Sequence, residues 1–261
     1  MKSLSPILIT IVIAFFSCNV AQQIHTPKRT SDAISGSEFY KKILSLKWNE
    51  REELAKKEIL NGNIPAYLKK FTRVNTSITT PEGETINAYY LVLPDYLSIG
   101  SDEDFARIPL TPMAAKVIAD SFDCFLPTTK MVDDIYKNAI IKLEPLPMYA
   151  FRDSSVTMYH HHLMIEGQRK LRKGLIAGIK KDVVTTDKMT KENTPNRVAI
   201  YGWHKLDGKP IQPLYSGHVN WYVDYSHGIR LVHRTVYVNN KQMDYLEVLK
   251  DSRLRGLLTR E

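Results

Sequence analysis

Cysteine is nearly absent: Cys18 and Cys124 are the only two in 261 residues. Two cysteines cannot build the disulfide framework that staples small secreted domains, so burial of apolar surface must hold the fold. No apolar run reaches the roughly 20 residues that a membrane-spanning helix needs; the N-terminal run from Ile7 to Phe16 falls well short. No Arg/Lys block is interleaved with aromatics at a nucleic-acid module's spacing, which excludes specific nucleic-acid recognition of that kind. There is no internal repeat and no low-complexity tract, which excludes a solenoid. No Gly-x-Ser-x-Gly surrounds a serine, so the α/β-hydrolase nucleophile elbow is excluded as well.

What is present is a hydrophobic fraction of 43% and a formal net charge of +8. The first supports a real core. The second attracts acidic glycans or anionic lipid and also serves solubility.

The N-terminus predicts export. Lys2, the apolar run Ile7 to Phe16 and the small polar residues after it form the three regions of a secretory signal over residues 1–21. Two cleavage modes fit. Phe15-Phe16-Ser17-Cys18 resembles a lipobox, with cleavage before Cys18 and a lipid on its sulfur. Asn19-Val20-Ala21 before Gln22 suits ordinary cleavage. The expected location is periplasmic, outer-membrane-anchored or extracellular, with membrane attachment only through Cys18. Cys124 is then the single cysteine of the folded part, and its neighbours Phe122, Phe125 and Leu126 mark it as a core residue.

Residues 22–36 are polar and small, and predict a flexible tether. Residues 37–261 predict one α+β domain, with two lobes meeting near 145–150 at Pro145 and Pro147. Ser37 to Asn61 reads as one helix with an intermittent apolar stripe. Strands follow at Thr72–Thr79 and Thr85–Leu93. Helices start at Thr111-Pro112 and at Leu126-Pro127-Thr128. The run His160-His161-His162 reads as a solvated loop with at most one histidine turned inward. Val198–Trp203 is a strand, Asp207-Gly208 marks a hairpin, and Trp221–Val238 is one long strand or two. Tyr245–Leu258 closes the chain as a helix. Helices gather in the N-terminal half and antiparallel strands in the C-terminal half, so the class is α+β.

Candidate chemistry concentrates in residues 201–234. If the chain runs straight there, His218, Asn220, Tyr222, Asp224, Ser226 and Arg230 share one strand face, and His227 is a polar exception on the apolar face. That face carries reactive types where a solvated face usually carries Lys, Glu and Thr. A zinc site from His204, His218, Asp224 and His227 is one reading. Ser216-Gly217-His218 with Asp224 resembles the Ser-x-His…Asp segment of zinc D-alanyl-D-alanine peptidases, with a spacer one residue shorter and without that family's downstream Glu and Trp-His. A straight strand would hold His218 and Asp224 about 20 Å apart, so no metal is assigned unless residues 217–222 curl back. Acid–base catalysis asks less: a histidine oriented by a carboxylate, and an arginine for an anion. The candidates for catalysis are His204, His218, Asp224, Ser226 and His227. The candidates for binding are Trp203, Trp221, Tyr222, Arg230, Lys180 and Asp182, the aromatics by stacking on sugar rings.

Leu126-Pro127-Thr128-Thr129-Lys130-Met131-Val132-Asp133, Tyr201-Gly202-Trp203-His204 and Asp224-Tyr225-Ser226-His227-Gly228-Ile229-Arg230, with Pro210-Ile211-Gln212-Pro213-Leu214, resemble a group of exported bacterial proteins. Ile179 stands where that group carries a histidine. The resemblance implies export and supplies no reaction. The composite expectation is an exported hydrolase acting on the cell envelope or a polysaccharide, with a polymeric glycan or peptidoglycan as substrate and no required cofactor. The alternative is a non-catalytic glycan- or envelope-binding lipoprotein.

Overall fold

The computed structural model describes residues 22–261; the expected signal segment, Cys18 included, lies outside the described residues. The first helices are α1 (Gly36–Lys42) and α2 (Trp48–Leu60). The single helix expected here is broken between them. Ser35 caps α1 reciprocally with Glu38, and α2 begins afresh where the Glu50 carboxylate accepts the Lys47 N–H at 2.9 Å. Strands β1 (Thr72–Thr79), β2 (Thr85–Val92), β3 (Ser98–Gly100) and β4 (Phe105–Arg107) follow. Then come α3 (Pro112–Ser121), β5 (Cys124–Phe125), α4 (Thr129–Asn138), β6 (Ile141–Lys142) and α5 (Ser155–Arg169). Thr111 and Thr128 cap α3 and α4 through their hydroxyls. The last part holds β7 (Ile176–Ala177), β8 (Lys181–Val183), α6 (Lys188–Lys191), β9 (Arg197–His204), β10 (Pro210–Val219), β11 (His227–Gly228), β12 (Val232–Val238), β13 (Lys241–Asp244) and α7 (Tyr245–Lys250).

Two sheets organise the chain, and the class is α+β. The first runs β1-β2-β12-β13, with β5 also pairing β12. The second runs β10-β9-β8-β11 and is antiparallel except where β11 lies parallel to β8. The halves of the sequence are not separate layers, because C-terminal β12 pairs directly with N-terminal β2. Val74, Tyr90, Val92, Val232 and Val236 form the packed side of the first sheet, against Met131 and Ile135 of α4. Burying side chains of this size contributes about 1.5–3 kcal/mol each. Cys124 is buried in this frame, and burial pushes its thiol well above the ordinary value.

Three expectations are corrected. Residues 22–36 are not a free tether. Gln22 and Ile24 exchange backbone hydrogen bonds with Phe71 and Lys69, Ile24 is buried, and the Arg29 guanidinium donates to Asn63 Oδ1 at 2.8 Å. The histidine run is not a loop: it lies inside α5, with His161 and His162 both buried. The stretch Asn220–Ser226 is not a strand. Ser226 donates both its N–H (2.8 Å) and its hydroxyl (2.5 Å) to Asp224 Oδ1, and this local turn competes successfully with a sheet ladder. The face-sharing expected of a straight strand therefore does not apply: β10 continues to Val219, and the chain turns just after it, where the Tyr222 N–H donates to the Val219 carbonyl at 3.0 Å.

Among the described residues no helix is long and apolar enough to cross a membrane.

Candidate active site

The predicted site residues separate into three groups. The first is built around His204, at the end of β9. Its Nε2 lies 2.9 Å from Asp133 Oδ1, on α4. Tyr201 donates its hydroxyl to the same oxygen at 2.9 Å, and Arg260 donates to Oδ2 at 2.6 Å. Burial raises the Asp133 carboxyl, but hydrogen bonds from His204, Arg260 and Tyr201 outweigh it and hold the group below its ordinary value. Asp133 is therefore a carboxylate, and a carboxylate accepts. That places the imidazole proton on Nε2 and leaves Nδ1 with a lone pair. Burial and the Asp133 charge push the Tyr201 phenol up to about 12, so it stays a donor.

The ring is held on its face as well. Tyr136 stacks on His204 with centroids 4.5 Å apart and planes 18° from parallel, and the Tyr136 hydroxyl donates to the Lys205 carbonyl at 2.6 Å. Gly202 and Trp203 both have positive φ, +104° and +56°. A tryptophan in the left-handed region is unusual, and such strain clusters at functional sites. A Cβ at Gly202 would stand 3.0 Å from Val132 Cγ1 and 3.5 Å from His204 Nδ1 and Cε1, so the glycine lets the chain bend close beside the ring.

His204, Asp133, Tyr136, Tyr201 and Arg260 line a cleft of about 410 Å³, with Lys137 and Lys142 also on its wall. The combination is an oriented imidazole, an ionised partner and cations able to face an anionic group. Such a set can take a proton from water and return it to a leaving group.

The second group gathers at the turn after β10. Asp224 accepts from Ser226, from Arg152 at 2.9 Å and from the Tyr222 hydroxyl at 3.3 Å. Burial raises its carboxyl, and His227, Ser226 and Arg152 together bring it below the ordinary value. His227 Nε2 is 4.0 Å from Asp224 Oδ1, too far for a hydrogen bond. Neither His227 ring nitrogen has a partner among the described residues, and burial lowers its pKa to about 4. The His218 ring centroid is 6.4 Å from that of His227 and 4.6 Å from that of Tyr222. Ser226 is fully buried and bonded to a carboxylate instead of to a base, so it is a strut for Asp224 and not a nucleophile. His227 is 1% exposed and His204 3%, so burial does not separate the two rings; what His227 lacks is a hydrogen-bonded carboxylate to orient it. Among the described residues no group of three or more His, Cys, Asp or Glu is placed to hold a metal ion.

The third group is structural. Arg230, expected to hold an anion, is wholly buried. It donates to the carbonyls of Leu93 (2.8 Å) and Ile176 (2.7 Å) and lies over the Tyr96 ring. Asp182 accepts from the Tyr96 hydroxyl at 2.9 Å, and burial raises its pKa to about 6. Lys180 Nζ donates to the Tyr225 carbonyl and lies 3.1 Å from His161 Nδ1; burial lowers its pKa to about 7. Trp203 is buried against Tyr225 with the Lys181 ammonium over its ring, so it cannot stack on a sugar. Trp221 is exposed and stacks on Trp48, and both line, with Tyr222, a groove of about 430 Å³.

Of the residues lining this cleft, the sequence marks His204 as a candidate and does not mark Asp133, Tyr136 or Arg260. Asp133 does end the block Leu126–Asp133, but nothing local pairs position 133 with 204. No family model matches the chain, and neither a curated protein nor a solved structure matches it.

Proposed function

We propose that the chain is an exported hydrolase of a cell-envelope or polysaccharide substrate, with His204 as its acid–base residue. The observation that carries this reading is the 2.9 Å bond between His204 Nε2 and an ionised Asp133 on the wall of a 410 Å³ cleft. His204 Nδ1 takes a proton from water as the water oxygen bonds to the scissile carbon. Asp133 stabilises the imidazolium that results. The imidazolium then returns its proton to the leaving oxygen or nitrogen as the scissile bond breaks. With Arg260 paired to Asp133, Lys137 and Lys142 outnumber the remaining carboxylate, Asp207, and favour a substrate carrying negative charge near the reacting bond.

The test is digestion of peptidoglycan and a panel of polysaccharides by wild-type protein, His204→Asn and Asp133→Asn. The expected result is a product from at least one substrate that either substitution strongly reduces. Product formed equally by all three proteins, or none by wild type, sinks the reading.

A non-catalytic glycan-binding role is favoured by one separate observation, the exposed Trp48–Trp221 stack at the 430 Å³ groove. It predicts retention of glycan without product, and loss of retention in Trp221→Ala.

A further inference from the structure

The outward face of the first sheet carries a cleft of about 510 Å³ that the His204 site does not use. Alternation along the strands sends Val74, Ile86, Ala88, Tyr90 and Val236 inward. The other parity faces out. Register then sets Asn75 opposite Tyr89 and Tyr89 opposite Tyr237, in a row across β1, β2 and β12. Ser77 and Asn87 pair in the next row. Tyr89 and Tyr237 stack with centroids 4.4 Å apart and planes 6° from parallel. The Arg73 guanidinium lies 3.8 Å from the Tyr89 centroid, and its Nε donates to Asn75 Oδ1 at 2.8 Å. Its terminal nitrogens make no hydrogen bond among the described residues. Among the described lining residues there is no carboxylate, so the Arg73 charge is unbalanced within the cleft. A merely solvated sheet face would mix Lys and Glu; this one carries amides, hydroxyls, two tyrosines and one arginine.

We propose that this face binds a carboxylate-bearing polysaccharide. The C–H face of a sugar ring packs on the tyrosine pair, its hydroxyls bond to the amides of Asn87 and Asn240, and its carboxylate pairs with Arg73. Charge complementarity selects the acidic sugar over a neutral one, since an arginine without a carboxylate neighbour is free to accept one. Strand β1 is tied to α4: Asn138 donates to the Asn75 carbonyl at 3.3 Å, and the inward Thr76 hydroxyl donates to Asp134 at 3.0 Å. The same helix carries Asp133 and Tyr136 and packs on the inner side of the sheet, so the sheet and that helix together separate this face from the His204 cleft. The inference concerns retention alone and stands independently of hydrolysis.

The test is titration of the protein with polygalacturonate, with dextran as the neutral chain and poly-glutamate as the charge control. Polygalacturonate binds more tightly than either. Tyr237→Ala weakens that binding about tenfold, the loss expected for one aromatic stacking contact. Arg73→Gln brings polygalacturonate down to the dextran level, and Tyr237→Phe, which keeps the stack, binds as wild type. No polygalacturonate binding, equal binding of poly-glutamate, tighter binding of dextran, or an unchanged Tyr237→Ala overturns the proposal. Arg73 is an exposed residue whose replacement spares the core, so Arg73→Gln decides the matter if Tyr237→Ala fails to fold.

Discussion

His204 Nε2 and Asp133 Oδ1 lie 2.9 Å apart although 71 positions separate them in sequence. The contact is made because α4 packs against β9, putting Asp133 under the last residue of the strand. The carboxylate is bonded on both oxygens, so it has little freedom to leave the imidazole.

Asp133→Asn keeps the size of the side chain and removes the charge that stabilises an imidazolium. Hydrolytic activity falls about 10²- to 10⁴-fold, and stability falls by about 1–3 kcal/mol because an amide nitrogen cannot accept from Arg260 as Oδ2 does. His204→Asn gives a loss of the same order. Rates on the best substrate, measured for both variants, check this; a loss confined to one of them breaks the pairing.

Gly202→Ala places a Cβ 3.0 Å from Val132 Cγ1 at a residue with φ +104°. An L side chain rarely adopts that backbone, and the strain costs about 1–3 kcal/mol. Urea unfolding measures the stability loss. A variant as stable as wild type would mean that the Gly202–Trp203 bend is not required.

Arg107 holds Asp95 through two hydrogen bonds, at 2.9 and 2.6 Å, with both side chains essentially unexposed. Burial raises the Asp95 carboxyl, and the guanidinium beside it reverses the shift to below the ordinary value. Arg107→Met strands that charge and costs about 3–5 kcal/mol. Adding Asp95→Leu recovers part of the loss, because the Asp95 charge is gone and Glu166, 2.8 Å from Arg107 in the native protein, keeps Arg169 as its partner. Denaturant midpoints of the single and double variants check the sign; a double variant weaker than the single one contradicts it.

Acid weakens the fold through histidines. Burial lowers the His227 pKa from 6.5 to about 4 and the His161 pKa to about 2, with Lys180 and Arg107 adding to the shift at His161. The unfolded chain therefore binds more protons than the native one below pH 6.5. Their contribution is present above pH 6.5 and is lost as pH falls toward 4. Asp182, raised to about 6, acts the other way over the same range: its contribution is present below about pH 3.8 and is lost as pH rises through 6. Among the described residues five histidines are lowered and two carboxyls, Glu52 and Asp182, are raised, so stability declines between pH 6.5 and 4. His227→Gln flattens that decline, as read from denaturant unfolding at each pH; an equally steep decline removes His227 from the account.

Much of the local structure was legible. Thr111 with Pro112, and Thr128 with its amphipathic follower, announced α3 and α4 because caps and periodicity act within a turn or two. The strands at Thr72–Thr79 and Val198–Trp203 were visible for the same reason. The break between α1 and α2 was not, since the apolar stripe runs through it and only the Glu50 cap marks a new start. The stretch 220–226 misled because its alternation mimics a strand, while the hydrogen bonds from Ser226 to Asp224 fold it into a turn.

The residues 201–234 were correctly seen as the chain's densest store of titratable side chains, for composition and spacing are written in the sequence itself. Their partners were not. Asp133, Tyr136 and Arg260 come to His204 from distant elements, and Arg230 turns inward to two backbone carbonyls. A charged side chain satisfies its hydrogen bonds wherever packing brings a partner, and packing is a long-range property. Residue types and local turns follow from neighbours along the chain; which histidine meets which carboxylate follows from how helix α4 and the second sheet close on each other.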